Sequence, residues 1–476
     1  MSHQSQLIKN TIIIAIGKLG TQVISYFLLP LYTKLLTPGD YGTYDFICTL
    51  AIFICPLITL LMEESMFRFL IDAKSEKEKK LIISQTIIYS VIGTVVFIPL
   101  ALIVMGFGTE YTPGMQGLVI FFVISNLLLG LSNSLARGEG NIKLYSASNF
   151  ILGILTILLN IVLVVIFKSG NALLIANTIA NTFTALFVFG KMKIWKYVGQ
   201  YNKMIMNKMI KYSVPLVPNS ISWAIINMSD RVLLTKISGE AVNGIYAMAC
   251  KFPNIINVVY GYFYTAWKES SAKILKDEGS KKVYNNIYHD MKRLLFSVTI
   301  FLIAVMPFVF NLFINKQYGE AYIYIPLIII ATYYANLSSF IGGIFTAFKK
   351  TKIIGTTTVF AAIINLVVDL ILIWKMQIYA ACISTLLANL IIYYYRKYKL
   401  KDLVKLKELN MFGPGIILGI VCFTYYIRCF KNISIVTSYV INGIILLLVI
   451  LYSVAVNKKI FIKILGKFIP KFKERT

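Results

Sequence analysis

The sequence predicts an all-α, polytopic membrane protein with about 14 transmembrane helices, arranged as two parallel six-helix repeats plus two C-terminal helices. Of its 476 residues 58% are apolar and 14% charged, and the mean hydropathy is +0.75, whereas soluble domains average about 45–50% apolar and 25% charged. Charge-free apolar runs of about 20 residues, long enough to cross a bilayer core of about 30 Å, recur along the chain. A short early segment also reappears 202 residues later. These observations exclude a soluble globular protein.

The apolar runs place each span in chain order, in two groups of six and a final pair. The first group covers Leu7 to Leu35, Tyr44 to Phe69, Leu81 to Met105, Met115 to Leu135, Leu144 to Phe167 and Asn171 to Gly190. The second covers Tyr212 to Ile237, Val242 to Trp267, Leu294 to Ile314, Ala321 to Phe348, Ile353 to Trp374 and Ile378 to Tyr395. The final pair covers Pro414 to Phe430 and Ser434 to Val456.

These spans define the predicted domains. We expect an N-lobe over residues 1–190, a basic cytoplasmic linker over 191–211 and a C-lobe over 212–396. The last two helices fall within 397–456. The tail over 457–476 alternates lysines with Ile and Phe, which is typical of an amphipathic segment lying on anionic membrane lipid.

The basic residues predict the orientation of the chain. The formal net charge is +27, and 37 Lys and Arg residues fall on the side of the termini and the even-numbered connections, against six on the other. Because cytoplasmic loops carry excess Lys and Arg, both termini are predicted to be cytoplasmic. Apolar spans divide the basic residues into short clusters, which argues against a nucleic-acid partner. The outer connections, such as residues 37–43, are too short for the external loop of a membrane polymerase.

An internal repeat supports the two-lobe plan. Residues 33–44 read TKLLTPGDYGTY and residues 235–246 read TKISGEAVNGIY, with identical Thr, Lys, Gly and Tyr at one constant offset. Both segments leave an odd-numbered span, so both copies have the same orientation. The six-helix unit is therefore predicted to be duplicated in parallel, about an axis along the membrane normal.

Four cations inside the predicted spans are candidate substrate-binding residues: Lys18, Arg68, Arg231 and Lys251. Ionisable residues inside a membrane rarely face lipid and commonly mark functional sites. If their helices line one cleft, these side chains form a cationic, substrate-binding cavity suited to a pyrophosphate. Two alternatives stay open: Arg68 as an interfacial anchor that extends to headgroups, and Arg231 as the partner of an acid on a neighbouring helix.

Two acids are candidates for ion coupling or structural pairing. Asp230 is adjacent to Arg231 in sequence and therefore points elsewhere on the helix. Asp369 lies in the middle of the eleventh span, as a proton or sodium site or as the partner of a cation. His3 and His289, the only histidines, have no Cys or His neighbour at ligand spacing. We predict no cofactor, no metal site and no catalytic residue.

Tyrosine is abundant, with 30 residues. Clusters around Tyr260 and Trp267, and from Tyr393 to Tyr395, adjoin basic loops predicted to be cytoplasmic. This position favours an aromatic belt at the membrane interface over stacking on sugars.

Several motifs then carry a family resemblance. They are LLTPGDYGTY over residues 35–44, EESMFR over 63–68, SVPLVP over 213–218, the dipeptide at 230–231 and GIYAMACK over 244–251. In this order the sequence resembles the polysaccharide (O-antigen and capsule) flippases of the multidrug/oligosaccharidyl-lipid/polysaccharide exporter (MOP) superfamily, over residues 7 to 456. Leu61 departs from the pattern, since relatives often have a small Gly there.

The resemblance implies two six-helix lobes around a central cavity. It implies a non-enzymatic flippase that moves undecaprenyl-pyrophosphate-linked oligosaccharide from the inner to the outer leaflet of the bacterial cytoplasmic membrane, working with a polysaccharide polymerase and chain-length machinery. In related lipid II flippases, cationic residues of the first, second and eighth helices line the cavity, and Lys18, Arg68 and Lys251 resemble them in position. A cation-coupled drug exporter, a membrane polysaccharide polymerase and a non-transporting scaffold are the alternatives.

The charge asymmetry generates a topology prediction. Single cysteines at Lys203 and Lys281, in a background without the six native cysteines, should resist an impermeant thiol reagent added to whole cells. Cysteines at Gly39 and Gln377 should react with it, because those positions lie on the side with few basic residues. Permeabilised cells provide the control, since all four positions should then be labelled. Labelling of Lys203→Cys in intact cells would overturn the orientation.

Overall fold

The described part of the chain is about 90% helical. The computed structural model describes residues 28–108, 111–197, 199, 201–275, 279–348, 350–407, 412–427, 429 and 434–458, and no strand occurs among them. Helices satisfy their backbone hydrogen bonds internally, as a bilayer requires. The predicted all-α class is confirmed.

Within those residues the chain forms sixteen α-helices. The first nine are α1 (Leu29–Leu35), α2 (Pro38–Thr59), α3 (Met62–Asp72), α4 (Glu76–Gly108), α5 (Pro113–Gly138), α6 (Ile142–Phe167), α7 (Gly170–Met192), α8 (Lys203–Ser213) and α9 (Val217–Leu233). The others are α10 (Glu240–Ile274), α11 (Ser280–Phe313), α12 (Ala321–Ala347), α13 (Thr351–Met376), α14 (Ile378–Leu400), α15 (Phe412–Ile427) and α16 (Ile435–Val456).

Ten of the described helices are long and apolar enough to cross a membrane, namely α2, α4, α5, α6, α7, α11, α12, α13, α14 and α16. Each corresponds to a predicted span. Most of the predicted first span, including Lys18, lies outside the described residues, as does nearly all of the basic tail. The predicted thirteenth span is the shorter apolar helix α15. The predicted linker contains α8, which packs against α3 and α4.

The predicted second span, Tyr44 to Phe69, is wrong as one continuous helix. The chain breaks between α2 and α3, where Leu60 and Leu61 both adopt left-handed backbone conformations with φ of 48° and 57°. This region costs a residue with a Cβ about 1–2 kcal/mol. It explains why a Gly would suit position 61, and the break redirects the chain that carries Arg68.

By its internal packing the chain divides into two compact units, one up to Gly244 and one from Ile245. In the first unit α7 packs against α5 and α6, and in the second α14 packs against α12 and α13. The helices α5, α6 and α7 are the last three spans of the first proposed repeat, and α12, α13 and α14 are the last three of the second. Equivalent helices therefore pack in the same way in both repeats, as a duplicated six-helix unit requires. The lobe limits at residues 190, 211 and 396 remain a prediction.

A crossing of α2 and α10 brings the two copies of the repeated segment together at their matched glycines. A Cβ added to Gly42 would overlap the carbonyl oxygen of Glu240, and a Cβ added to Gly244 would overlap that of Pro38. Each glycine therefore faces the carbonyl four residues before the other glycine. Asn243 Nδ2 also donates to the Gly42 carbonyl at 2.9 Å. The contact is reciprocal, and only glycine permits it at this distance.

The motif before this crossing fixes the start of α2. Thr37 and Asp40 form a capping box, in which each side chain accepts from the other residue's backbone N–H. Asp40 Oδ1 also accepts from the backbone N–H of Gly170, the first residue of α7. Thr43 Oγ1 donates to Glu240 Oε2 at 2.5 Å, at the start of α10. Three helix N-termini are thereby tied together.

The reciprocal contact predicts a large effect of one methyl group. Gly42→Ala should lower the unfolding midpoint of the purified protein by overpacking the crossing, which costs about 1–3 kcal/mol when the backbone must shift. Gly39→Ala is the matched control one turn earlier in α2, because its Cβ would meet only Thr37 Oγ1 at 3.8 Å. Equal unfolding midpoints for the two variants in detergent would contradict the crossing.

Candidate functional site

Among the described residues, the clearest charge contact between two helices joins α9 to α2. Arg231 Nε donates to Asp45 Oδ2 at 2.7 Å, and the side chains are 20% and 15% exposed. The structure shows one of the two alternatives left open by the sequence: Arg231 pairs with an acid on a neighbouring helix. Asp230, 3% exposed, points away from this pair because successive helical residues are rotated by about 100°.

Arg68 lies in a different environment. On α3 it pairs with Asp72, one turn further along the same helix, at 2.9 Å, and the side chains are 48% and 63% exposed. An exposed pair of this spacing contributes little to stability, about 0.3–0.5 kcal/mol. The guanidinium is held by an acid of its own helix, and its predicted role in substrate binding remains a prediction.

Lys251 lies partly buried on α10. The helix continues from Glu240 to Ile274 through Pro253, two residues after the lysine. Proline frees a carbonyl and permits a local bend in a helix. The structure therefore places Lys251 beside a potential bend, while its role toward a substrate remains a prediction.

Asp369 is completely buried on α13 within the second unit. One turn before it, Asn365 Nδ2 donates to Ser384 Oγ of α14 at 3.0 Å. Residues four apart share a helix face, so Asp369 lies on the face of α13 that packs against α14. Ion coupling and structural pairing both remain predictions for this acid.

Sequence reasoning missed a buried arginine. The predicted twelfth span ends at Tyr395 and leaves Arg396 outside it, but α14 extends to Leu400 and leaves the Arg396 side chain 2% exposed. The guanidinium donates to Thr357 Oγ1 and Thr358 Oγ1 of α13, to the Ile354 carbonyl and to the Ser338 carbonyl of α12, at 2.9–3.2 Å. It ties three helices together. In the sequence, the three consecutive threonines over 356–358 in α13 were the signal that a polar or charged side chain packs against this helix.

Two lysines assigned to loops are also buried. Lys292 on α11 is 5% exposed and Lys397 on α14 is 9% exposed. Each ammonium nitrogen lies 5.9 Å from the centre of the Tyr288 ring, which is within range of a cation–π attraction. The second unit therefore holds a cationic cluster of Lys292 and Lys397. The sequence did not reveal it, because both lysines lie just outside the predicted spans.

The aromatic-belt interpretation is wrong for several residues. Trp267 stacks on Phe340 with ring centres 4.3 Å apart, and its Nε1 donates to the Phe340 carbonyl. Tyr393 is buried, and its hydroxyl shares a 2.5 Å hydrogen bond with that of Tyr288. These rings pack inside the second unit because their helices continue beyond the predicted ends.

Among the described residues no three His, Cys, Asp or Glu side chains lie together as metal ligands would. The ten long apolar helices and the repeated packing define a polytopic α-helical membrane protein with the fold of the MOP superfamily. The chain belongs to the polysaccharide biosynthesis protein family, whose model matches residues 7–267. The resemblance predicted from the sequence is confirmed.

Solved structures show the same fold at low sequence identity. The lipid II flippase MurJ in an inward closed conformation has a TM-score of 0.67 and 14% identity, covering 94% of this chain and 100% of that one. An inward-facing multidrug resistance MATE family transporter has a TM-score of 0.59 and 12% identity, covering 82% and 98%. A MOP superfamily transporter from Pyrococcus furiosus has 0.56 and 13%, covering 83% and 95%. No curated protein matches the sequence.

The ion pair generates a stability prediction. Arg231→Ala should destabilise the protein by up to about 3 kcal/mol, near the lower end for a buried pair because both side chains retain some exposure. Adding Asp45→Ala should recover part of that loss, since the acid is no longer left unpaired. Arg68→Ala is the control and should change stability by about 0.5 kcal/mol or less. Additive losses for Arg231→Ala and Asp45→Ala in thermal unfolding would show that the pair is not coupled.

Proposed function

We propose that this protein is a flippase that moves undecaprenyl-pyrophosphate-linked oligosaccharide repeat units from the inner to the outer leaflet of the bacterial cytoplasmic membrane. The transport would supply biosynthesis of a surface polysaccharide such as O-antigen, capsule or exopolysaccharide. Alternating access of the two lobes would carry the substrate across. Membership of the polysaccharide biosynthesis family supports the polymer class.

One observation favours a lipid-linked substrate over a small drug. The likeness to the lipid II flippase covers 94% of the chain at a TM-score of 0.67, whereas the likeness to the multidrug transporters covers 82–83% at 0.52–0.59. Lipid II is itself a lipid-linked saccharide. A cation-coupled drug exporter is therefore the second candidate, and Asp369 would be its coupling site.

The substrate's pyrophosphate would bind cationic side chains, as the family resemblance implies. Arg231 is held by Asp45 and Arg68 by Asp72, so we assign these arginines secondary roles, as positioning or peripheral groups. The pyrophosphate would bind Lys18 and Lys251, one on each copy of the repeated unit. Lys and Arg make strong charge-assisted hydrogen bonds to phosphate oxygens.

The membrane potential supplies an energy source for this substrate. A pyrophosphate with about two negative charges, moved outward across an inside-negative potential of about 100 mV, gains roughly 4.6 kcal/mol. The proposed flippase would therefore work as a uniporter. Its products would pass to a polymerase and chain-length machinery on the outer side.

The connections on the predicted outer side argue against a polymerase. Only residues 168–169 separate α6 from α7, and only Gln377 separates α13 from α14. Neither connection can hold a catalytic loop. The same shortness suits helices that move together as rigid groups.

The assignment of the lysines generates a transport prediction. Lys251→Gln should reduce flipping of a fluorescent undecaprenyl-pyrophosphate saccharide in proteoliposomes at least tenfold, because the loss of one charge-assisted contact is worth about 1.5–3 kcal/mol. Lys251→Arg should retain more activity than Lys251→Gln, because the charge persists. Lys18→Gln should behave like Lys251→Gln. Lys236→Gln, at an exposed lysine, is the control.

The driving force is tested in the same vesicles. A potassium-diffusion potential should accelerate flipping by the wild-type protein, whereas a proton or sodium gradient alone should not. Acceleration by an ion gradient and its loss in Asp369→Asn would support the exporter mechanism instead. Full activity of the double Lys18→Gln, Lys251→Gln variant would show that these cations do not hold the substrate.

A further inference from the structure

The second unit contains a cavity that the transport proposal does not use. It has a volume of about 390 Å³ and lies among α11, α12, α14 and α15. Its lining residues are Lys292, Phe296, Thr299, Ile330, Tyr333, Tyr334, Tyr393, Tyr394, Gly415 and Leu418. Lys292, Phe296 and Thr299 follow one another at helical spacing, so a single face of α11 forms one wall.

Two hydroxyl groups that line this cavity have no hydrogen-bond partner among the described residues. They belong to Tyr333, which is 5% exposed, and Thr299, which is 2% exposed. A buried hydroxyl without a partner destabilises the fold, and such groups are rare in native proteins. Both line the same cavity, which indicates that a bound group supplies the missing acceptors.

The charge of the cavity indicates what that group is. Lys292 lines it, and the Lys397 ammonium lies as close to the Tyr288 ring as the Lys292 ammonium does. No carboxylate is present among the lining residues. A ligand that accepts hydrogen bonds from hydroxyls beside the buried Lys292 ammonium is an anion, and phosphate oxygens meet both requirements.

The remaining wall indicates that the phosphate belongs to a lipid. Phe296, Ile330 and Leu418 give the cavity an apolar portion. Its fourth side is α15, which exposes Phe412 and Phe423 on its outer surface, as a helix in contact with acyl chains does. At Gly415 this wall has no side chain, and a Cβ there would meet nothing within 4 Å. The cavity is therefore amphipathic and one helix away from the bilayer.

We propose that this cavity binds the phosphate group of a membrane lipid. Lys292 would be the counter-ion, and the Tyr333 and Thr299 hydroxyls would donate to phosphate oxygens. The lipid is either a bulk anionic phospholipid or a polyprenyl phosphate, since both present the same group. The proposal stands apart from the assigned transport, because binding alone tests it.

The test uses the purified, delipidated full-length protein and measures binding by native mass spectrometry and thermal shift. The probes are dioctanoyl phosphatidylglycerol, undecaprenyl phosphate, inorganic phosphate and dioctanoylglycerol, which lacks phosphate. We expect at least one phosphate-bearing lipid to bind, and dioctanoylglycerol not to bind. The tighter of the two lipids identifies the source.

The hydroxyl variants give opposite effects on stability and binding. Tyr333→Phe and Thr299→Val should each raise the unfolding midpoint of the lipid-free protein, because a buried unpartnered hydroxyl is removed. Each should weaken lipid binding about fivefold. Tyr395→Phe, at a 44% exposed tyrosine of the same cluster, should change neither.

The charge and the space are tested separately. Lys292→Met should weaken binding roughly ten- to hundredfold, while Lys282→Met, an exposed lysine on the same helix, should not. Gly415→Leu should abolish binding by filling the cavity without unfolding the protein. Equal binding of inorganic phosphate and the lipids would overturn the lipid assignment. Unchanged lipid binding in Tyr333→Phe, Thr299→Val and Lys292→Met would overturn the site.

Discussion

The contact of two backbones at Gly42 and Gly244 sets the geometry of the first unit. Because neither residue carries a side chain, α2 and α10 approach until each glycine meets a carbonyl of the other helix. The approach brings Glu240 to Thr43. The helix that precedes α10 is α9, and its Arg231 reaches Asp45, three residues after the α2 glycine. The crossing therefore lies beside the partly buried ion pair, which joins the same region of α2 to the helix before α10.

The polar residues inside the helices fall into two groups with different physical meaning. Arg231 with Asp45, Arg396 with threonine hydroxyls and Asn365 with Ser384 are paired inside one unit. Pairs of this kind hold helices together in a medium where few other partners exist. The Tyr333 hydroxyl differs, because it is buried at a cavity without a partner among the described residues. Paired groups explain the architecture, and unpartnered groups at a cavity point to ligands.

Hydropathy and charge alternation were sufficient to predict the helical class and most spans, and the repeated segment predicted the duplication. They could not predict the break at Leu60 and Leu61, since two leucines in left-handed conformations oppose local preference and must be held by tertiary packing. They also placed Arg396 outside the twelfth span, because it begins a run of basic residues over 396–401. Its partners are threonines that lie about 40 residues earlier, and only the fold brings them together.

The crossing also explains why glycine is one of the four residues that are identical in both copies of the repeat. Gly42 and Gly244 must both lack a side chain, because each faces the backbone of the other copy and a Cβ on either one would block the shared contact. Thr37 and Asp40 cap α2 and hold α7, whereas the second copy reaches α10 through Gly239, with φ of 93°. The capping chemistry could therefore diverge while the glycines could not. A contact between two backbones constrains few side chains, but it constrains those few in both copies. Such a contact therefore requires only a weak sequence repeat.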